Sequence, residues 1–272
     1  MKHKIIFDLE QKLKLIGEYC DKDSLLVLYA PNMFPFSYWY GWDFIQHYFA
    51  FNQYVACYFL PCLYYRATHS YFNLLSTYRR ALQVGDYMEF GGYVGSTMSA
   101  AYYSLKNVIR NFYAFDSFCG LIGTQENEKE IFGDGQYSCN EKSYYHNLAF
   151  ADVDTSRIHS VAGDFLALNE NAKSIKEKNG MEYCAIAHID CDIFLPAYEC
   201  LKFLEPLLKQ GSFLLMDDYN AMYCDNNAGL RKALRLFSAK YPAFQFELHQ
   251  FYGPHQASFI VHKIAKKYFF RR

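Results

Sequence analysis

The sequence predicts an α/β protein whose sheet is mostly parallel and closes with an antiparallel hairpin at its C-terminal end. From Asp86 onward, short β-rich runs alternate with helix-compatible stretches, as in βαβ units. A glycine-rich turn directly follows the first of these runs. The last two runs are separated only by FYGPH, which is too short for a helical crossover and therefore favours a hairpin.

Seven runs are predicted to be strands. The first five are DYMEFGG, NFYAFDS, RIHSVAGD, EYCAIAHIDCD and GSFLLMDDY, and we expect them to be parallel because helix-compatible stretches separate them. The last two, FQFELHQ and QASFIVHK, are expected to form the hairpin at the sheet edge. With 272 residues, the chain can hold this domain over residues 76–272 and an accessory segment before it.

Residues 1–75 are predicted to be an aromatic-rich accessory segment that binds the acceptor or forms an oligomer contact. They contain a plausible helix around Phe7 to Tyr19 and a β-like SLLVLYA run. Their cleanest apolar stretch, Tyr54 to Tyr65, is interrupted by Pro61 and is shorter than the ~20 residues that a membrane-spanning helix needs. The 26 tyrosines and 25 phenylalanines of the chain make a homo-oligomer plausible.

Composition argues against several classes of partner. The 27 basic and 28 acidic residues nearly cancel, so a nucleic-acid-binding surface is not expected. The nine cysteines form no CxxC pair, and we expect them to be reduced in a cytoplasmic protein. MKHKIIFDLEQ reaches acidic residues before any run long enough for a secretory signal, so export is not indicated. A small-molecule substrate is the expected partner.

The glycine-rich turn is the first candidate ligand site. Glycines between a strand and a helix allow close backbone approach to a ligand, and the helix N-terminus offers free N–H groups. Glu89 indicates a cationic cofactor, because a carboxylate there would repel a pyrophosphate. The alternative is a tight turn without a ligand. The cofactor-binding candidates in this motif are Glu89, Gly91, Gly92, Tyr93 and Ser96.

The second and third strands end in further cofactor candidates. Asp116, followed by Ser117, lies at roughly the ~20-residue spacing at which a carboxylate accepts bonds from a ribose diol, which suits NAD or an adenosyl cofactor. Asp116 can equally be a strand-end turn or capping residue. Gly163, Asp164 and Phe165 offer a carboxylate and a ring for an adenine, although Asp164 is also a good N-cap.

Acidic residues close the fourth and fifth strands, and these give the strongest signal. Asp190 and Asp192 follow one strand, and Asp217 and Asp218 follow the next, so the carboxylates should meet at the sheet edge. Mutual repulsion then requires either protonation or a hard cation such as Mg²⁺. Solvated capping aspartates are the alternative. His188 should share a face with Asp190 and Asp192, and a structural role is its simpler interpretation.

A polar insertion from Phe118 to Asn147 is longer than ordinary βα connections, and we expect a mobile lid near the site. His249 and His255 flank the final hairpin. They reach the site only if that loop folds over it.

Taken in order, the motifs resemble the macrocin O-methyltransferase (TylF-like) family of class I, metal-dependent sugar O-methyltransferases. The resemblance covers roughly Tyr78 to Ala221 and rests on GDYMEFGGYVGST, FYAFDSFCGL, FGDGQYSCNEKSYYHNL, VAGDF and HIDCDIFLPAYECLKFLEPLLKQGSFLLMDDY. It implies a Rossmann-like methyltransferase fold. It also implies that the S-adenosylmethionine pocket is lined by Glu89, Gly91, Asp116 and Asp164. It further implies that Mg²⁺ is held by Asp190, Asp217 and Asp218.

The reaction expected from this resemblance is methyl transfer to a hydroxyl of a sugar-containing substrate, in carbohydrate or natural-product biosynthesis. Asp190 or Asp192 is the expected proton acceptor, with His188 a second candidate. Two alternatives remain open at this point. One is an NAD-dependent oxidoreductase, and the other is a non-catalytic Rossmann-like interaction module.

Overall fold

The computed structural model describes Phe72, Leu75 and residues 85–252 and 255–264. The expectations for residues 1–75 therefore lie outside the described residues, apart from Phe72 and Leu75. Both residues are helical, and their side chains are fully buried.

A seven-stranded sheet organises the described chain, with the order β3-β2-β1-β4-β5-β7-β6. Strands β1 to β5 pair in parallel, whereas β7 is antiparallel to both β5 and β6. The predicted sheet with its C-terminal hairpin is thus confirmed. The strands are β1 Asp86–Phe90, β2 Phe112–Asp116, β3 Ile158–Ala162, β4 Cys184–Ile189, β5 Phe213–Met216, β6 Phe244–Phe251 and β7 Ala257–Lys263.

Helices occupy the crossovers between the strands. They are α1 Ser96–Leu105, α2 Glu141–Phe150, α3 Ala172–Asn179, α4 Phe194–Leu204 and α5 Gly229–Lys240, with short 3₁₀ turns at Thr155–Arg157 and Phe165–Ala167. Within the described ranges, no helix combines the length and the apolar character that crossing a membrane requires.

Helix α2 corrects the expectation for the insertion at 118–147, which is not a loop throughout. Asn140 caps this helix by accepting a hydrogen bond from the Ser143 amide. Tyr144 and Leu148, four residues apart on one face, are fully buried. Two well-placed apolar residues and a cap are sufficient to form a helix in a segment that is otherwise polar.

The two faces of the sheet carry different side chains. On β1 and β4, Met88 and Ala187 enter the main hydrophobic core together with Leu201 of α4 and Phe237 of α5. The six described cysteines are free, and three of them, Cys184, Cys191 and Cys200, lie in this core. Strand alternation therefore turns Tyr87, Glu89 and His188 toward the opposite face.

Candidate active site

Asp116 holds the glycine-rich turn together through backbone amides. Its Oδ2 accepts hydrogen bonds from Gly92 N at 2.6 Å and Tyr93 N at 3.1 Å. Its Oδ1 accepts one from Phe118 N at 2.7 Å. The interpretation of Asp116 as a strand-end turn residue is therefore confirmed. A carboxylate offers about four acceptor positions, so roughly one remains for a ribose, and that role stays a prediction.

Gly91 joins this turn to the acidic loop after β4. Its φ of 100° lies in the region that favours glycine, and a Cβ there would stand 1.8 Å from the Asp190 carbonyl oxygen. The Asp190 amide in turn donates to Phe90 O at 2.9 Å. The predicted cofactor turn and the predicted cation site consequently share one backbone contact.

Glu89, two residues before Gly91 on β1, is fully buried. Its Oε2 accepts a 2.7 Å hydrogen bond from the Tyr87 hydroxyl, whereas its Oε1 has no partner. Desolvation, and then the charges of Asp190 and Asp116, raise the pKa of Glu89 well above its usual range. The Tyr144 hydroxyl nearby is also buried and unpartnered. A ligand with a cationic donor group would pair with Glu89 Oε1 and the Tyr144 hydroxyl, and would thereby offset the free-energy cost of burying both groups without a partner.

The acidic residues of β4 and β5 come together in two overlapping groups. In one, the ligand atoms of His188, Asp190 and Asp217 all lie within 4.8 Å of one another, and in the other those of Asp190, Asp192 and Asp218 do so. Asp190 belongs to both groups. The set implied by the family resemblance, Asp190 with Asp217 and Asp218, thus takes members from each group.

Burial dominates the electrostatics of this acidic cluster. Desolvation raises the pKa values of Asp190, Asp192 and Asp217 well above their usual range, and repulsion from Asp218 raises them further. Within the described ranges, no lysine or arginine forms an ion pair with these carboxylates. The residues that fit a hard cation are therefore present, and such a cation would remove the repulsion.

Asp192 departs from the simple alternation that the sequence suggested. Strand β4 ends at Ile189, and Asp192 adopts a left-handed φ of 59°. Its ligand atom lies within 4.8 Å of those of Asp190 and Asp218, whereas His188 belongs to the other group. Backbone strain of this kind is concentrated at functional sites.

The histidines occupy distinct positions. His188 is fully buried, and burial lowers its pKa to about 3, so the imidazole is neutral at physiological pH. Burial raises the pKa of Asp218, and His255 lies close enough to that carboxyl group to offset part of the rise. His249 packs edge-on against Phe213, with ring centroids 5.4 Å apart.

Comparison with known proteins identifies the fold. No protein-family model matches the chain, and no curated protein matches it in sequence. Among solved structures, the O-methyltransferase NovP is similar, with a TM-score of 0.52 and 16% identity over 70% of this chain and 80% of that chain. CalS11, a calicheamicin methyltransferase, is similar with a TM-score of 0.52 and 16% identity over 93% and 91%. The fold is that of a class I methyltransferase.

Several predicted cofactor residues have structural partners within this methyltransferase fold. The Asp164 carboxylate caps a 3₁₀ turn by accepting from Leu166 N at 2.9 Å, in agreement with its capping interpretation. Ser117 Oγ donates to Gly120 O at 2.9 Å. Phe165 packs against Phe90. Gly163 has a φ of 157°, and Ser96 is the first residue of α1.

Four side chains of the methyltransferase fold escaped sequence reasoning. Tyr87 and Tyr144 lie beside Glu89, and alternation along β1 is a signal that could have identified Tyr87. Glu128 is fully buried and accepts hydrogen bonds from Phe194 N at 2.7 Å and Gln125 N at 3.0 Å, which fixes the insertion to the start of α4. Nothing in the local sequence marks it.

Tyr137 is the fourth. It carries a left-handed φ of 55°, and its ring lies 5.7 Å from that of Tyr93. Its side chain is 49% exposed, and partial desolvation, followed by the charges of Asp192, Asp218 and Asp190, raises its pKa, so its hydroxyl is near the acidic cluster. The insertion thus reaches the site, as the sequence suggested. Its mobility stays a prediction.

Proposed function

We propose that this protein is an S-adenosylmethionine-dependent O-methyltransferase, similar to the TylF-like family, that methylates a hydroxyl of a sugar or glycosylated substrate with the help of Mg²⁺. One observation carries the proposal. A buried carboxylate with an unpartnered oxygen, Glu89, and a cluster of four aspartates meet at the backbone contact between Gly91 and Asp190.

The cofactor end of the site is formed by the glycine turn. Glu89 Oε1 would accept the α-ammonium group of S-adenosylmethionine, a charge-assisted bond that offsets the burial of the carboxylate. Asp116 keeps the turn in shape and retains room for a ribose hydroxyl. The same carboxylate at Glu89 opposes a dinucleotide pyrophosphate, which disfavours the oxidoreductase alternative.

The acceptor end is formed by the acidic cluster. Asp190, Asp217 and Asp218 would hold Mg²⁺, which supplies Lewis-acid polarisation of the acceptor hydroxyl when bound. Asp190 or Asp192 would accept the proton, and we favour Asp192 because it is outside the proposed Mg²⁺ ligands and burial raises the pKa of its carboxyl group, which makes its carboxylate a stronger base. His188 is less suited to this role because it has no exposed surface.

Methyl transfer then follows from alignment of donor and acceptor. In the proposed reaction the acceptor oxygen would form a bond to the methyl carbon as the carbon–sulfur bond breaks, and Asp192 would take the hydroxyl proton. The products are the methyl ether and neutral S-adenosylhomocysteine. Holding both reactants at near-contact distance supplies much of the rate enhancement.

The substrate class and the setting rest on the family resemblance and the composition. We assign acceptor binding or an oligomer contact to residues 1–75, expect a homo-oligomer, and expect the reaction to take place in the cytoplasm. CalS11 is a calicheamicin methyltransferase by name, and NovP an O-methyltransferase. Both are in keeping with a small-molecule acceptor.

Ligand binding tests the proposal directly. Thermal shift and calorimetry should be run with S-adenosylhomocysteine, NAD⁺ and MgCl₂, separately and together. We expect stabilisation by S-adenosylhomocysteine and by MgCl₂ and none by NAD⁺. Glu89→Gln should weaken S-adenosylhomocysteine by at least ~1.5 kcal/mol, the lower range for a hydrogen bond to a charged group.

Glu247→Gln is a matched control, because it makes the same change at an exposed carboxylate on β6. It should leave the affinities for S-adenosylhomocysteine and for Mg²⁺ unchanged. Stabilisation by NAD⁺ but not by S-adenosylhomocysteine would replace the methyltransferase proposal with the oxidoreductase alternative. No response to any of the three ligands would favour the non-catalytic interaction module.

A further inference from the structure

Helix α2 of the insertion packs directly on the glycine-rich turn. A Cβ at Gly92 would stand 2.9 Å from Cε2 of Tyr144 and 3.5 Å from its Cζ, and a Cβ at Gly95 would stand 3.2 Å from the same Cε2. Asn147 Nδ2 adds a 3.1 Å hydrogen bond to Val94 O. The sequence suggests room for a ligand at these glycines, whereas at both positions the ring of Tyr144 makes the close approach. The turn and α2 are therefore fixed to each other.

Packing explains the ring of Tyr144 but not its hydroxyl. The side chain is fully buried, and its ring lies edge-on to that of Phe118, with centroids 5.7 Å apart. Among the described residues, the hydroxyl has no hydrogen-bond partner. Burying a hydroxyl without a partner costs free energy, and a phenylalanine would fill the same volume without that cost. The hydroxyl is therefore expected to pair with something other than the folded chain.

Glu89 lies near this hydroxyl. Burial, and then the charge of Glu89, raises the pKa of Tyr144 well above its usual range. Glu89 Oε1 is likewise buried and without a partner in the described ranges, while Oε2 accepts the hydrogen bond from Tyr87. The hydroxyl of Tyr144 and Oε1 of Glu89 do not bond to each other. Two polar atoms, one from β1 and one from α2, are thus left unpaired at the place where the two elements meet.

We propose that Tyr144 is a cofactor-binding residue, which recognises the α-ammonium group of S-adenosylmethionine together with Glu89. An ammonium group carries three N–H donors, so it can donate to Glu89 Oε1 and to the Tyr144 oxygen at the same time. Both bonds are charge-assisted, since their donor is a cation. The insertion then belongs to the cofactor pocket as well as to the predicted lid.

This inference rests on the proposed function, because it concerns the same cofactor. It adds a residue of the insertion and a basis for selecting the ligand. An adenosine compound without the ammonium group would leave both polar atoms unpaired and would lose both hydrogen bonds. The packed ring of Tyr144 holds its hydroxyl in place before binding, so little conformational entropy is lost when the bond forms.

Calorimetry with two ligands measures this recognition. One is S-adenosylhomocysteine, and the other is its deamino analogue, in which a hydrogen replaces the amino group. Tyr144→Phe should raise the Kd of S-adenosylhomocysteine at least about tenfold, the effect of losing one hydrogen bond to a charged group. The same variant should leave the Kd of the deamino analogue unchanged, because that ligand makes no bond to the hydroxyl.

The melting temperature of the ligand-free protein separates recognition from a role in folding. Tyr144→Phe removes an unpaired hydroxyl and should melt no lower than wild type. Tyr113→Phe is the matched control, because Tyr113 is also buried but its hydroxyl donates to Asn179 O at 2.7 Å. The control should melt below wild type, since it loses a hydrogen bond, and it should leave the Kd of both ligands unchanged.

The outcomes separate this inference from the proposed function. If Tyr144→Phe binds S-adenosylhomocysteine as tightly as wild type does, the role of Tyr144 is overturned and the methyltransferase proposal stands. An equal loss of affinity for the deamino analogue also overturns it, because the hydroxyl would then not recognise the ammonium group. A lower melting temperature of ligand-free Tyr144→Phe would assign the hydroxyl to folding instead. Failure of the wild-type protein to bind S-adenosylhomocysteine overturns both proposals.

Discussion

Replacing Asp217 with asparagine should reverse the order of stability between variant and wild type when Mg²⁺ is added. The carboxylate of Asp217 is fully buried, and its ligand atom lies within 4.8 Å of one of Asp190. At an effective dielectric constant of about 20, two unit charges at 4.8 Å repel by about 3.5 kcal/mol. Because buried carboxyl groups with raised pKa values hold protons, we expect asparagine to recover only about 1–2 kcal/mol of this.

The expected shifts are measurable by differential scanning fluorimetry. In EDTA, Asp217→Asn should melt roughly 2–8 °C above wild type, at roughly 2–4 °C per kcal/mol for a protein of this size. In MgCl₂ at a hundred times its Kd, the wild type should gain about 2.7 kcal/mol and the variant little, so the order reverses. Turnover of the variant should collapse in either condition.

Asp225→Asn is the matched control, since it makes the same chemical change at an exposed carboxylate. It should follow the wild type in both conditions. The reasoning is refuted if Asp217→Asn is less stable than wild type in EDTA, or if MgCl₂ stabilises variant and wild type equally. The first result would mean that Asp217 contributes as an ordinary hydrogen-bonding group and that repulsion is unimportant.

Three other predictions follow from the site. Asp116→Asn should weaken the binding of S-adenosylhomocysteine by at least ~1.5 kcal/mol in calorimetry, because the turn loses charge-assisted hydrogen bonds. An unchanged affinity in a folded variant would exclude a role of Asp116 in cofactor binding. In EDTA, the melting temperature should fall as pH rises above about 4, since carboxyl groups with raised folded-state pKa values bind more protons in the folded than in the unfolded state. A rise between pH 5 and 8, or a slope that Asp217→Asn does not reduce, would contradict this. Hydrogen exchange should be faster at residues 133–140 in the apo protein than with S-adenosylhomocysteine bound, and faster still in Glu128→Ala. Equal exchange in all three states would reject the lid.

The strands and the turn were predictable because their signals are local. Each strand is a short β-rich run, and the glycines mark a turn wherever they occur between strand and helix. The partition of the four aspartates was not predictable, because it depends on β4 ending at Ile189 and on the left-handed backbone of Asp192. Likewise, no sequence spacing shows that amides already fill most of the acceptor positions of Asp116.

The roles of Tyr137 and Glu128 depend on tertiary contacts that periodicity does not encode. Tyr137 reaches the acidic cluster because the insertion folds back, with Leu121 N donating to Gln136 O at 2.9 Å. Glu128 has an acidic side chain in a polar segment, where a solvated position is the ordinary expectation. Its burial follows only from the proximity of the first turn of α4.

The contact between Gly91 and the Asp190 carbonyl limits how this protein can be altered. Any side chain at position 91 would push the acidic loop away, so one substitution there would disturb the glycine-rich turn and the acidic cluster at once. At this position, binding of the methyl donor and binding of the acceptor can therefore not be altered separately. Engineering of a new acceptor range should accordingly begin in the insertion, around Tyr137, whose side chain is 49% exposed and lies near the acidic cluster.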